Sequence, residues 1–149
     1  MNPFDIKSAL LARHAQHVVL IHFPVALFMV AVAFDFLAVR NRSRLLAAAT
    51  FYNLLAAAAS SLPVLITGIL AWRWQLEGQR LQGVLLLHLV MGSISTALIW
   101  VVGWIHMRAA RSPEPALPSY RWPIQMIAVV IIALTAHLGG ILSGVNGPA

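Results

Sequence analysis

The chain has no cysteine among its 149 residues. Disulfides, thiolate-held iron–sulfur clusters and the C-x-x-C-H attachment of a covalent haem are therefore excluded. Any haem must be held non-covalently, and any metal must use His, Asp, Glu or Met. Acidic side chains are nearly as scarce, being only Asp5, Asp35, Glu77 and Glu114. Charged residues of either sign make up 9% of the chain, against 60% that are hydrophobic. The mean hydropathy is +0.84. No soluble domain of this length can hide so much apolar surface, because a small globule keeps a large share of its residues at its boundary. The chain reads as one integral membrane domain over residues 1–149. No hydrolytic triad, activated nucleophile or phosphate-binding loop can be read in it. That favours a non-catalytic subunit over an enzyme acting alone.

What charge there is comes mainly from arginine, which supplies nine of the ten basic residues. In a soluble protein such an excess suggests nucleic acid. Here the arginines stand at the ends of apolar runs, where they anchor helices and set orientation. The expected partner is the lipid bilayer, and no nucleic acid is expected.

Four apolar runs each reach the roughly 20 residues that cross the hydrocarbon. They predict membrane helices over about 17–39, 45–72, 83–105 and 122–143, an all-α antiparallel four-helix bundle. The first run is too long for a signal-peptide core and lacks a small-x-small cleavage site, so it reads as a retained helix. Before it, Asn2, Pro3 and Asp5 suit a helix start, and Ile6, Leu10 and His14 recur at helical spacing. A short interfacial helix is expected there. Trp72, Trp74, Trp100, Trp104 and Trp122 lie near helix ends, as an aromatic belt requires. Helix two, with its alanines, Asn53, Ser60, Ser61, Thr67 and Gly68, reads as the packing helix, and Pro63 can kink it. The connections after helices one and three carry Arg40, Arg42, Arg44, Arg108, Arg111 and Arg121, against Lys7, Arg13, Arg73 and Arg80 on the other side. This asymmetry predicts a multi-pass protein of the bacterial inner membrane with both termini periplasmic.

Alternating helix direction brings His17, His22, His88 and His137 to one side of the membrane. Their depths agree to within a turn or so whichever side is outside. An imidazole at membrane depth is costly without a partner, so several on neighbouring helices mark a candidate site. Haem b needs two neutral imidazoles facing each other across a bundle, with groups that fix each tautomer. His17 and His22 project about 140° apart, so they do not suit one iron. His22 with His88 is the first expected pair of iron ligands, and His17 with His137 the second. Pro24 loosens the backbone next to His22, and Gly83, Gly92, Gly139 and Gly140 allow close approach of a flat ligand or a helix. Interhelical hydrogen bonding is the competing role for these imidazoles, and zinc or copper would accept three of them. His106, beside Trp104 and Arg108, is expected at the opposite surface. Asp35, about 20 Å along the helix from His22, is expected to pair with Arg40, Arg42 or Arg44, or with Arg108. Proton uptake for a quinone site is its functional alternative.

The stretch His17-Val18-Val19-Leu20-Ile21-His22-Phe23-Pro24-Val25-Ala26-Leu27, followed by Asp35, resembles the opening signature of a bacterial membrane-protein family. That family is catalogued as domain of unknown function twenty-two thirty-one. Its pattern runs His-Pro-x-x-Val-His-Phe-Pro-Ile-Ala, with an Asp later in the same helix. Thr67-Gly68, Trp72, His88 and Gly139-Gly140 continue the resemblance over almost the whole chain. It differs at Val18, where the family usually has proline, and at Asn146-Gly147, where the family often has a histidine before a glycine. The resemblance implies a four-helix fold and marks His17, His22, Asp35, His88 and Gly140. Because such domains can accompany c-type cytochrome modules, it also implies periplasmic electron transfer.

The resulting expectation is a membrane cytochrome b-like electron-transport subunit binding one or two b haems near the periplasmic side. Its partners would be other membrane or periplasmic redox subunits, such as a c-type cytochrome, and quinone. The alternative is a cofactor-free structural subunit of a respiratory or photosynthetic membrane complex.

Overall fold

A computed structural model describes residues 15–75, 77–78, 80–113 and 116–144. The described chain is helical: α1 (Ala15–Leu20), α2 (His22–Asn41), α3 (Arg44–Gln75), α4 (Gly83–Ala110) and α5 (Arg121–Leu142). The interfacial helix expected before His17 lies outside the described residues. Four segments are long and apolar enough to cross a membrane: Gln16–Asn41, Arg44–Trp74, Gly83–Ala110 and Arg121–Leu142. Helices satisfy their own backbone groups, which is what lets apolar sequence enter lipid. The third span runs five residues, more than one turn, beyond its expected end at 105.

The first span contains both α1 and α2, interrupted at Ile21. The cause is the proline expected to loosen this stretch. Pro24 has no N–H to offer the Leu20 carbonyl, and the next bond, from Val25 N–H to the Ile21 carbonyl, is stretched to 3.5 Å. At its other end α2 stops at Arg42, whose φ of 50° is left-handed. Ser43 N–H then reaches back to the Ala38 carbonyl at 3.0 Å, closing the helix end. The Ser43 hydroxyl accepts from Leu46 N–H at 3.3 Å and caps α3. A two-residue reversal thus makes α2 and α3 an antiparallel hairpin.

The other connections are longer, and the hairpins associate in chain order. α2 packs most extensively on α3 and α4 on α5, while α3 joins the two pairs and α2 meets α5 along a narrow seam. Phe28, Ala31, Leu54, Ala57, Ala58, Ile99, Val102, Ala128 and Ile132 form the core. Its alanines permit close helix approach. At Gly103 an added Cβ would lie 3.8 Å from the Leu54 carbonyl oxygen, so α3 and α4 nearly touch through backbone. The hydroxyls of α3 turn back on their own helix: Thr50 donates to Leu46, Ser60 to Ala56, Ser61 to Ala58 and Thr67 to Pro63. They satisfy themselves locally, and alanine sets the spacing between helices.

This core is not centred along the bundle. Among the described residues, 16–23, 62–74, 83–94 and 133–142 contain no buried residue. Those stretches are the ends of all four spans on one side. The buried residues lie toward the opposite end, where Arg40, Arg42, Arg44, Arg108, Arg111 and Arg121 collect. We call these the histidine end and the arginine end.

Candidate functional site

Each end carries a polar group built from several helices. At the arginine end, Asp35 near the end of α2 is 2% exposed. Its Oδ2 accepts from Arg121 Nε at 2.8 Å and from Gln125 Nε2 at 2.9 Å, both on the first turns of α5. Arg121 also donates to the Pro118 carbonyl at 3.2 Å, and its guanidinium lies 4.2 Å from the Trp122 ring centroid. His106 on α4 completes the group, with Nε2 3.4 Å from Gln125 Nε2 and 3.8 Å from Asp35 Oδ2. An amide nitrogen only donates, so His106 Nε2 accepts and its proton sits on Nδ1. The Asp35 and Arg121 charges cancel, leaving a neutral buried set. Gln125 Oε1 is buried without a hydrogen-bond partner.

Two expectations are corrected here. Asp35 pairs with Arg121, not with Arg40, Arg42, Arg44 or Arg108. The first three are exposed at the rim of the hairpin. Arg108 instead stacks 5.4 Å over the Trp104 ring on the outer face of α4. His106 is 5% exposed, not interfacial. It lies about 200° around the helix from both Trp104 and Arg108, and the extra turn of α4 keeps it inside the bundle. Sequence reading also missed Gln125. The available signal was Arg121 and Gln125 four apart, on one helix face, at the depth where alternating helices place Asp35.

At the histidine end, α1 leans on α3. His17 Nδ1 lies 3.2 Å from Thr67 Oγ1. That hydroxyl spends its own proton on the Pro63 carbonyl at 2.8 Å, so it accepts from His17 Nδ1–H. His88 Nδ1 lies 3.1 Å from the main-chain carbonyl of Thr135 on α5, which can only accept. Both imidazoles therefore carry a proton on Nδ1, which leaves Nε2 as the lone-pair nitrogen whenever the ring is neutral. The Thr135 hydroxyl donates to Ile131 and takes a bond from Ser95 at 3.1 Å, a second tie between α4 and α5 about two turns along α4 from His88. Thr67 and Thr135 were not singled out as partners by sequence reading.

His17 and His88 are half-buried, whereas His22 and His137 are exposed. His88 is engaged by α5, and α2, which carries His22, has no extensive packing against α4. Among the described residues, no three His, Asp or Glu side chains gather as a metal site would need. The three-imidazole arrangement for zinc or copper is thus not assembled by these residues. The glycines act directly on the rings. An added Cβ at Gly139 would stand 3.2 Å from His88 Cε1, and one at Gly68 would stand 3.0 Å from His17 Cε1. At Gly92 the nearest atom would be Thr135 Cγ2 at an ordinary 3.8 Å. Gly139→Ala is expected to displace the His88 ring by a few tenths of an ångström and weaken its bond to Thr135. Gly92→Ala should leave it in place. Side-chain ¹⁵N chemical shifts of His88 in the two variants check this.

A family model described as "Predicted membrane protein (DUF2231)" matches residues 13–147. The chain belongs to this family. The match includes both polar ends and all four spans, so the family's membrane character extends to the whole bundle described above. No curated protein and no solved structure matches the chain.

Proposed function

We propose that the protein is a membrane-embedded electron-transfer subunit that holds haem b at its histidine end. The observation that carries this reading is the pair of Nδ1 hydrogen bonds, His88 to the Thr135 carbonyl and His17 to the Thr67 hydroxyl. Metal-ligating histidines almost always spend the other ring N–H in this way, which fixes the tautomer and raises the basicity of the ligating nitrogen. His17 and His88 are accordingly the first ligand pair in this reading, in place of His22 with His88. The exposed His22 and His137 remain the candidates for a second haem. The end that bears them has no buried residues among its described stretches, so a bulky group can be accommodated there without rebuilding the core. Haem would supply one-electron chemistry, while the protein tunes it through ligation, hydrogen bonding and burial.

The arginine end faces the cytoplasm in this reading, by the positive-inside asymmetry. The histidine end and both termini then face the periplasm of a bacterial inner membrane. In this reading the subunit works within a larger assembly. Its electron partners would be a c-type cytochrome or another periplasmic or membrane redox subunit, with quinone as the membrane-side carrier. The test is the dithionite-reduced minus oxidised spectrum of detergent-purified protein made with ample haem, quantified as pyridine haemochrome. A sharp α-band with one or two haems per chain is expected. A flat spectrum sinks the reading and leaves the cofactor-free structural subunit.

A further inference from the structure

A second feature of the arginine end stands apart from both polar groups. The outer face of α4 carries Trp104, Met107 and Arg108, and the turn after it carries Arg111 and Ser112. Together they line an open cleft of about 390 Å³. Trp104 is 53% exposed, and Trp100, one turn deeper on the same stripe, is 41% exposed. The cleft thus has a cationic rim at the end of a membrane span and an apolar floor that runs into the hydrocarbon.

The rim charges have no carboxylate partner among the described residues, where the ion pairs both fall on Asp35. Arg108 lies over the Trp104 ring at 5.4 Å from its centroid, a cation–π contact that restrains the guanidinium at the rim. Arg111 and the Ser112 hydroxyl add donors at the same level. Two guanidinium groups and a hydroxyl match the oxygens of a phosphodiester. A tryptophan stripe leading from them toward the bilayer centre matches the chain attached to it. We infer that this cleft is a specific site for one anionic phospholipid, with the phosphate on Arg108, Arg111 and Ser112 and an acyl chain along Trp104 and Trp100. Free phosphate shares the headgroup chemistry but not the apolar stripe, so the lipid is the occupant.

The test is native mass spectrometry of the full chain in detergent, with phosphatidylglycerol or phosphatidylcholine of the same chain length added. One phosphatidylglycerol is expected to be retained in preference to phosphatidylcholine. Arg108→Gln with Arg111→Gln should weaken retention about tenfold or more, because two charge-assisted hydrogen-bond donors are lost. Both arginines are exposed, so this variant leaves the buried core intact. Arg40→Gln with Arg44→Gln removes equal charge at the same end and should leave retention unchanged. Trp104→Phe, which keeps both charges, should weaken it several-fold. Equal retention of the two lipids, or equal loss in both double variants, would overturn the inference in favour of diffuse charge attraction. Displacement of the lipid by millimolar inorganic phosphate would overturn it in favour of a soluble-anion site.

Discussion

Replacing Asp35 with leucine is expected to destabilise the bundle by about 3–5 kcal/mol, because it leaves the Arg121 guanidinium buried without its counter-charge. Asp35 is the acceptor for both Arg121 and Gln125, so one substitution removes the shared partner of two donors on α5. Water cannot step in, since Arg121 is itself 5% exposed. Arg121→Met should cost a similar amount by stranding the carboxylate. The double variant, Asp35→Leu with Arg121→Met, should recover most of the loss, because a buried ion pair often does no better than apolar residues of similar volume. What the pair contributes in that case is register: it allows one vertical setting of α2 against α5 along a seam where the helices otherwise share little surface. Unfolding in mixed micelles with increasing dodecyl sulfate measures all three variants. Single-variant losses below about 0.5 kcal/mol, the range of ordinary surface changes, would show that the group is solvated and does not hold the bundle.

The second large effect concerns the histidine end and rests on the proposed haem. His88→Leu and His17→Leu are each expected to lower the haem content by one per chain, by pyridine haemochrome, while His106→Leu leaves it unchanged. The more discriminating pair is Thr67→Val and Thr135→Val. Valine at 67 removes the hydroxyl that accepts from His17 Nδ1–H, and loss of such an orienting partner costs about 10–100-fold in metal affinity. Valine at 135 keeps the acceptor of His88, because that bond goes to the main-chain carbonyl. Haem titration of the apoproteins should therefore show a marked loss for Thr67→Val and little for Thr135→Val. Equal behaviour of the two would mean that the hydrogen bonds do not orient ligands. An unchanged haem content in His88→Leu would remove this residue from the ligand set.

The helices were legible in the sequence because lipid leaves the backbone few alternatives. An apolar run of sufficient length must form its hydrogen bonds internally. The short hairpin at Arg42 and Ser43 and the break before Pro24 follow from equally local chemistry, a capping hydroxyl and a missing N–H. The sharing of one end by His17 and His88 was legible too, since helix direction must alternate across the membrane. Asp35 was read correctly as needing a cation, but the choice among arginines was not local. Arg40, Arg42 and Arg44 are closer in sequence, yet they sit on the exposed rim, whereas Arg121 lies on the helix that closes the bundle against α2. His106 was misplaced for a related reason. A residue two positions from an interfacial tryptophan points to the opposite face of the helix, and only the extra turn of α4 shows that this face is inside.

By itself the sequence determined a four-span membrane helix bundle, its hairpin reversals and the gathering of histidines at one end, because each follows from hydropathy, helix length and hydrogen-bond chemistry within one segment. The tertiary structure decided that Asp35 pairs with Arg121 and that His106 joins them. It also decided that Nδ1 of His17 and of His88 donates to a neighbouring helix and that the buried core runs from mid-span toward the arginine end. These properties depend on helix rotation and on which faces meet, and in a chain apolar on nearly every face, periodicity carries little information about either.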